Sequence, residues 1–296
     1  MNRLPRTSLL GLAGIAFALS ACRLERPDPA SQAAAILRKH PSDFQDQLVA
    51  LDALAQREVA ELEPGAMPAS LPILAESLYA YRTRLKPWLA SAASDRERMD
   101  RFNAFFFDSL GLAALDADTT LAASVPGLAL ARRRGSCVAL VLLYLAVGRS
   151  LDLPLFPVFL PGHVALRLRR AAGESFNVET LRRGIARSDS FYRETFALAK
   201  RPWYALADAR PEAALSALLF NMANARRARA EWALASGEYQ LVAEALPGFP
   251  EAIGNRGLCS LRMGDRDAAE RDFREAYAAD SLSPARANLE AMGLSP

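Results

Sequence analysis

An unbroken apolar run from Val138 to Val147 constrains the fold of this chain more than any other stretch. A helix that is hydrophobic on every side is buried on every side, so the run predicts the central helix of a domain. Cys137 precedes the run directly and falls in the first turn of that helix. Unpaired N–H groups and the positive end of the helix dipole favour a thiolate there, and the arginines at 132–134 add positive charge. The sequence therefore predicts an activated thiol at the start of a buried helix.

Two strands are predicted downstream of this helix. Apolar residues alternate from Leu160 to Leu168, which indicates a strand with His163 at its start. Phe176–Glu179 is predicted as a second strand, paired with the first through the turn at 170–173. A thiol, an imidazole and a polar residue on the neighbouring strand form a nucleophile, a base and an orienting group. Asn177 and Glu179 are two residues apart and share a face, so only one of them can lie directly behind His163.

Each of these residues also has a purely structural interpretation. Cys137 fits a small core residue at a crowded helix start, and His163 fits a hydrogen-bonded turn residue after Pro-Gly. Glu179 fits a surface carboxylate, and Asn177 fits a strand-edge amide bonded to backbone. Their joint placement within one short segment, in the order that thiol chemistry needs, favours a catalytic interpretation.

The first residues have the pattern of a targeting signal. Arg3 and Arg6 precede an apolar stretch from Leu9 to Leu19, which is too short to span a membrane comfortably. The stretch ends in Leu-Ser-Ala-Cys at 19–22, which resembles the lipobox of bacterial lipoproteins. This resemblance implies cleavage after residue 21, a lipid on Cys22 and a membrane anchor. Arg23 follows the cysteine where an Asp would imply inner-membrane retention, so we predict the outer membrane, with the protein facing the periplasm.

Charge and residue usage exclude several classes of function. Cleavage after residue 21 removes two arginines and lowers the formal net charge from +3 to +1, so charge implies no nucleic-acid partner. The three cysteines do not form a disulfide framework: Cys22 is assigned to lipid and Cys259 to a small buried apolar position. The chain has two histidines, His40 and His163, so a histidine-rich metal site is excluded, and nothing in the sequence indicates a cofactor or metal.

The segments before and around the apolar run are mostly predicted to be helical. Residues 22–32 are expected to be the lipidated cysteine and a linker, and residues 33–111 form helices broken near Pro41 and Pro64, with further breaks at Pro72 and Pro87. A helix is predicted from Ser94 or Asp95, with an apolar face and an end at Gly111. Residues 112–130 are predicted to be a loop, and residues 185–204 carry no clear pattern.

The C-terminal part contains a period. Small and aromatic residues recur at relative positions 0, 7, 12, 16 and 19, at Gly257, Gly264, Ala269, Phe273 and Ala276. This spacing resembles a tetratricopeptide repeat (TPR) over 250–283, and the preceding 34 residues are a degenerate match with Ala223 at the first glycine position. Such repeats bury their faces on neighbours. Two interpretations stay open: a groove that binds a protein partner, or packing alone.

Several short motifs together resemble the transglutaminase-like superfamily. They are Arg133–Leu140, Leu151–Pro154, Leu160–His163 and Asn177–Thr180, with Phe102–Gly111 upstream. The closest similarity is to the SirB1-related bacterial branch, which pairs this core with tetratricopeptide repeats. The resemblance implies an α+β fold: a papain/transglutaminase-like core with a mainly helical N-terminal part at 33–204, followed by TPR-like helices at 215–296. It also implies Cys137 as nucleophile, His163 as general base and Glu179 where the family usually has Asp, with Asn177 as the alternative.

Two hypotheses for function follow. The first is an envelope-anchored thiol enzyme that acts on amide bonds of a protein or peptide through a thioester, by hydrolysis or by acyl transfer. The second is a lipoprotein adaptor without catalytic activity, which binds protein partners through its repeats. The intact Cys–His–carboxylate set favours the enzyme, whereas the Glu at the usual Asp position and the unidentified second oxyanion donor leave room for the adaptor.

Overall fold

The computed structural model describes residues 27–39, 44–116, 118, 120–169 and 175–296. The predictions for the signal at 1–21, Cys22, His40, the break at Pro41 and the turn at 170–173 lie outside these residues. The helices of the described part are α1 Pro29–Lys39, α2 Phe44–Leu62, α3 Leu74–Ala90, α4 Asp95–Ala104, α5 Leu121–Ser124, α6 Pro126–Arg132, α7 Cys137–Arg149, α8 Asp189–Thr195, α9 Leu215–Ala228, α10 Trp232–Ala245, α11 Pro250–Arg262, α12 Arg266–Ala279 and α13 Ala285–Ala291. The strands are β1 Ala113–Ala114, β2 Arg134–Gly135, β3 Leu155–Leu160, β4 His163–Leu168, β5 Phe176–Glu179 and β6 Ile185–Arg187.

Helix α7 is the centre of the molecule, as the apolar run predicts. Every residue from Val138 to Gly148 is buried. The helix packs against β3 and β4 on one side and against helices of the N-terminal part on the other. An element surrounded in this way fixes the position of whatever lies at its ends, and Cys137 is its first residue.

The main sheet is antiparallel, with the order β3-β4-β5-β6. The two central strands, β4 and β5, are those that the sequence predicts. Strand β3 is almost continuously buried, so it lacks the alternation that identifies a half-exposed strand, and β6 is a short edge strand in the unassigned segment. A second, two-stranded parallel sheet joins β1 to β2 just before the cysteine.

The predicted loop at 112–130 is wrong, because two short helices form within it. Thr120 caps α5 by accepting a hydrogen bond from the Ala123 N–H, and Pro126 begins α6. One carboxylate on α2 and one just after it cap the starts of these helices. Glu63, just after α2, accepts from the Leu121 and Ala122 N–H groups, and Asp52 accepts from the Gly127 N–H at 2.8 Å. Because these caps come from residues far away in the sequence, the segment forms helices although its own Asp, Thr, Ser and Pro residues are typical of a loop.

Other boundaries differ in smaller ways. Ser94 caps α4 as predicted, and the chain continues through a π-turn at Phe105–Ser109 to Gly111 at φ +65°. Pro87 does not break a helix. It lies in the last turn of α3 on the exposed side, where the carbonyl it leaves unpaired meets solvent. Helix α1 begins at Pro29, so the predicted linker at 22–32 is helical from that residue.

The C-terminal helices pack in sequence, each against the next, from α9 to α13. Gly257 of α11 allows close approach, since a Cβ there would lie 3.1 Å from the Phe273 ring of α12. Helix α9 also contacts α2, α5 and α7, and α1 contacts α10. One hydrophobic core therefore runs from Ala33 to Cys259, across the boundary that the sequence predicts between 204 and 215, and a smaller cluster joins α11, α12 and α13.

In the described part of the chain, no helix is both long and apolar enough to cross a membrane.

Candidate active site

Cys137 occupies the first position of α7 and is partly exposed, whereas the rest of the helix is buried. The entry to the helix is tightly packed. A Cβ on Gly135 would lie 2.8 Å from the Ala129 Cβ and 3.0 Å from the Ala139 Cβ, so this position has no room for a side chain. The Ser136 N–H donates to the Ala123 carbonyl at 2.8 Å. Packing on both sides therefore fixes where the thiol emerges.

His163 is the first residue of β4 and follows a tight turn. Gly162 has φ +65°, a conformation that residues with a Cβ rarely adopt. Its N–H donates to the Glu251 carboxylate of α11 at 3.2 Å. The turn that presents the imidazole is thus held by a helix of the C-terminal part, and burial raises the pKa of Glu251.

Glu179 holds the His163 ring. The ring Nε2 lies 3.0 Å from Glu179 Oε2, and the Tyr192 hydroxyl donates to the same oxygen at 2.9 Å. The other carboxylate oxygen accepts from the Leu181 N–H at 3.1 Å. The side chain is bent back toward its own strand end, and this is how the longer Glu reaches a position usually held by Asp.

Asn177 lies elsewhere, and the strand register explains why. Asn177 pairs with Arg167, four residues beyond His163 along β4, whereas Glu179 lies two residues closer to the histidine end of that strand. The Asn177 amide instead donates to Asp189 at 2.8 Å and accepts from Arg167 at 3.1 Å. It ties β5 to the start of α8 and does not contact the imidazole.

The charges of the site favour a protonated imidazole. Burial by itself lowers the pKa of His163, but hydrogen bonds to Cys137 and Glu179 and their negative charges raise it to about 10. Burial opposes ionisation of Glu179, yet the His163, Tyr192 and Leu181 partners hold the pKa of this carboxyl below its ordinary value. Because Glu179 takes Nε2, Nδ1 is the ring nitrogen that remains for the thiol. An imidazolium between a carboxylate and a sulfur stabilises that sulfur as a thiolate.

The thiol and the imidazole open onto a cleft of about 250 Å³. One wall comes from the C-terminal helices, which contribute Phe220, Asn221 and Asn224 from α9 and Glu251 from α11. The lining is otherwise mainly apolar, and apart from His163 its charged residues are acidic. The full lining is Leu115, Asp116, Asp118, Ser136, Cys137, Val138, Phe159, Leu160, Gly162, His163, Val164, Leu181, Ala217, Phe220, Asn221, Asn224, Phe249 and Glu251.

Replacing the charge on Glu179 tests its electrostatic role. In Glu179→Gln we expect the pKa of His163 to fall, because the negative charge that favours the imidazolium is lost while the side chain keeps its shape. The measurement is an NMR titration of the imidazole, which has few resonances to assign because the chain contains two histidines. Glu194→Gln, at an exposed position on α8, is the matched control and should leave the titration unchanged. A midpoint that does not move in Glu179→Gln would contradict this account.

Sequence reasoning missed three contributors to the site. Tyr192 lies in the segment that carried no pattern, and its contact with Glu179 depends on how α8 folds over the sheet. Asn221 and Glu251 lie in helices whose sequence gives no sign of the neighbouring cleft. Phe196, in the same unassigned segment, has its ring nearly parallel to that of His163, with centroids 6.3 Å apart.

Among the residues with described positions, no group of three or more His, Cys, Asp or Glu is arranged to hold a metal ion.

Comparison with protein families supplies the context for this geometry. The model of the transglutaminase-like superfamily matches residues 49–218, a range that includes Cys137, His163 and Glu179. Comparisons with curated proteins and with solved structures gave no match. The family match covers more than half of the chain and agrees with the mixed helical and sheet architecture described above. The protein therefore belongs to the transglutaminase-like superfamily.

Proposed function

We propose that this protein is a cysteine-dependent enzyme that acts on amide bonds through a thioester intermediate. The observation that supports this best is the pairing of His163 with Glu179 beside Cys137, at the edge of an open cleft. A histidine with only a packing role does not require a buried carboxylate as hydrogen-bond partner. Here that carboxylate is itself bonded by a tyrosine hydroxyl and a backbone N–H. These two partners hold the carboxylate that orients the ring.

The proposed first step is acylation. The Cys137 thiolate attacks the carbonyl carbon of the substrate amide and a tetrahedral oxyanion forms. The C–N bond then breaks, His163 donates the Nδ1 proton to the departing nitrogen, and an amine leaves. The acyl group remains on sulfur as a thioester, and the imidazole is now neutral.

The proposed second step reverses these roles. Neutral His163 takes a proton from water or from a primary amine as that nucleophile attacks the thioester carbonyl. The C–S bond breaks, and the thiolate–imidazolium pair is restored. Water gives hydrolysis, and an amine gives a new amide. The mainly apolar lining of the cleft favours an apolar acyl group, and its acidic residues disfavour an anionic one; we propose a protein or peptide as substrate.

The test is formation of an acyl-enzyme. With p-nitrophenyl acetate as the acyl donor, we expect a burst of nitrophenol equal to the enzyme concentration and a thioester on Cys137 that mass spectrometry detects and hydroxylamine removes. Cys137→Ala should show neither. Cys259→Ala is the matched control, because this other described cysteine is fully buried in the core. Absence of the burst in the parent protein would contradict the proposal and favour the adaptor hypothesis.

We further propose that the enzyme is a lipoprotein of the bacterial envelope, anchored through Cys22 to the outer membrane. The support is the lipobox-like sequence at 19–22 after a basic start and an apolar stretch. Labelling of cells with radioactive palmitate should mark the parent protein and not Cys22→Ser. Equal labelling of both would contradict the anchor.

We also propose that the chain belongs to the SirB1-related branch and that the helices within 215–296 include TPR-like repeats, with a protein partner as their ligand. The supporting observation is the close contact at Gly257 and the burial of Ala269, Phe273 and Ala276. A protein that co-purifies with the parent chain, and no longer does so when exposed residues of the repeats are replaced by charged ones, would support this proposal. A protein that still co-purifies with such a variant would contradict binding through the repeats.

A further inference from the structure

An acyl-transfer site needs two hydrogen-bond donors for the oxyanion, and the structure offers one of them at once. The N–H of Cys137 lies at the first position of α7, where a helix has no internal acceptor for it. Ser136 makes no side-chain capping bond to the first turn. The N–H of Ser136 is already used by the Ala123 carbonyl, so it is not the second donor, and a side chain on the opposite wall of the cleft can supply it.

Asn221, on α9, borders the same cleft as Cys137. Its Nδ2 donates to Ser124 Oγ at 2.7 Å, and Ser124 Oγ lies 3.2 Å from Ser136 Oγ. These two contacts bring the amide to the residue directly before the nucleophile. Asn221 lies just beyond the segment that the family model matches, which ends at residue 218.

The direction of the hydrogen bonds identifies which end of the Asn221 amide faces the serine. Arg227 can only donate, so the Tyr239 oxygen accepts from its Nε at 3.1 Å and gives its own hydrogen to Asn224 Oδ1 at 2.6 Å. Asn224 then presents its NH₂ group to Asn221 Oδ1, at 3.5 Å. The amide of Asn221 therefore accepts on the side of Asn224 and donates on the side of Ser124.

An amide nitrogen carries two hydrogens, and in the described part of the chain Ser124 is the acceptor for one of them. We propose that the second N–H of Asn221 points into the cleft and donates to the oxyanion, together with the Cys137 N–H. This inference rests on the function proposed above and assigns the donor that sequence reasoning left unidentified. The C-terminal helices then contribute directly to the chemistry, because the donor lies on α9 and is oriented by residues of α9 and α10 together with Ser124 of α5.

The test separates oxyanion formation from thiol reactivity. Acylation by p-nitrophenyl acetate passes through a tetrahedral oxyanion, whereas alkylation by iodoacetamide needs the thiolate and forms no oxyanion. In Asn221→Ala and Asn221→Leu we expect the acylation rate to fall at least tenfold, and by about 10²-fold where the donor contributes fully. The alkylation rate of Cys137 should stay within twofold of the parent. Asn288→Ala, on the last helix, is the control for loss of an amide elsewhere.

Three outcomes would overturn the inference or its basis, and they are distinguishable. Unchanged acylation in both Asn221 variants would exclude Asn221 as a donor while leaving the proposed function intact. Equal losses of acylation and alkylation would assign Asn221 to positioning of the thiol instead. Absence of acylation in the parent protein would remove the proposed function itself.

Discussion

Replacing His163 with Ala is expected to slow alkylation of Cys137 by iodoacetamide on the order of 10²-fold at pH 6. An ordinary thiol with a pKa of about 8.5 is thiolate to only about 0.3% at that pH. In the parent protein the imidazole, with its pKa raised to about 10, is protonated at pH 6. Under the proposed function, this positive charge stabilises the thiolate form of Cys137. The effect should shrink as the pH approaches 9, because a thiol without its partner ionises there unaided.

The second histidine of the chain provides a control for this experiment. His40→Ala removes the other histidine and should leave the alkylation rate unchanged. Cys259 is fully buried and does not compete for the reagent in the folded protein. A pH profile identical in His163→Ala and the parent would show that the two residues are not an activated pair, and the proposed function would lose its basis.

The second large effect concerns stability. Arg226 of α9 is almost completely buried and forms ion pairs with Glu58 of α2 and Glu231 before α10, and its Nε lies 3.7 Å from Glu238 of α10. Removing the one cation from this group leaves buried carboxylates without a partner. We therefore expect Arg226→Ala to lower the free energy of unfolding by about 3–5 kcal/mol, measured by urea denaturation. Arg229→Ala, at an exposed site just after α9, should change it by less than about 0.5 kcal/mol.

The loss in Arg226→Ala should also depend on pH. Burial raises the pKa of Glu238 to about 8, although the Arg226 charge opposes this. A carboxyl whose pKa is higher in the folded than in the unfolded state contributes stability below its unfolded value of about 4.5, and that contribution is lost as the pH rises through 8. Without Arg226, ionisation of the buried carboxyls costs more free energy in the folded state. Because more of them are ionised at pH 8 than at pH 5, the variant should be destabilised more at pH 8. An equal loss at both values would contradict this assignment of charges.

Sequence patterns predicted the central elements because their signals are local. An apolar run has one stable location, the interior, and α7 is buried along its whole apolar length as expected. The alternation after His163 and the short run at 176–179 likewise correspond to β4 and β5. The sequence could not decide whether Asn177 or Glu179 bonds His163. That depends on the register of β4 and β5, which an alternation with a period of two does not determine.

Other features depend on contacts between distant segments. The helices at 121–132 receive N-terminal caps from Glu63 and Asp52, and the local sequence alone indicated a loop. The wall of the cleft formed by α9 and α11 requires the packing of α9 against α7 and the contact of α11 with the turn between β3 and β4, for which no local pattern exists. Tyr192 reaches Glu179 for the same kind of reason. Tertiary packing determines all three.

The His163 ring borders a second depression as well as the cleft. This depression lies beside Glu179 and Tyr192, includes Arg182 and Arg187, and does not include Cys137. Under the proposed function, proton transfer takes place at Nδ1, on the side of the thiol. The second depression therefore opens onto the carboxylate that orients the ring and not onto the reacting carbonyl. A group bound only there would change the orientation or the pKa of the imidazole while leaving the cleft unoccupied.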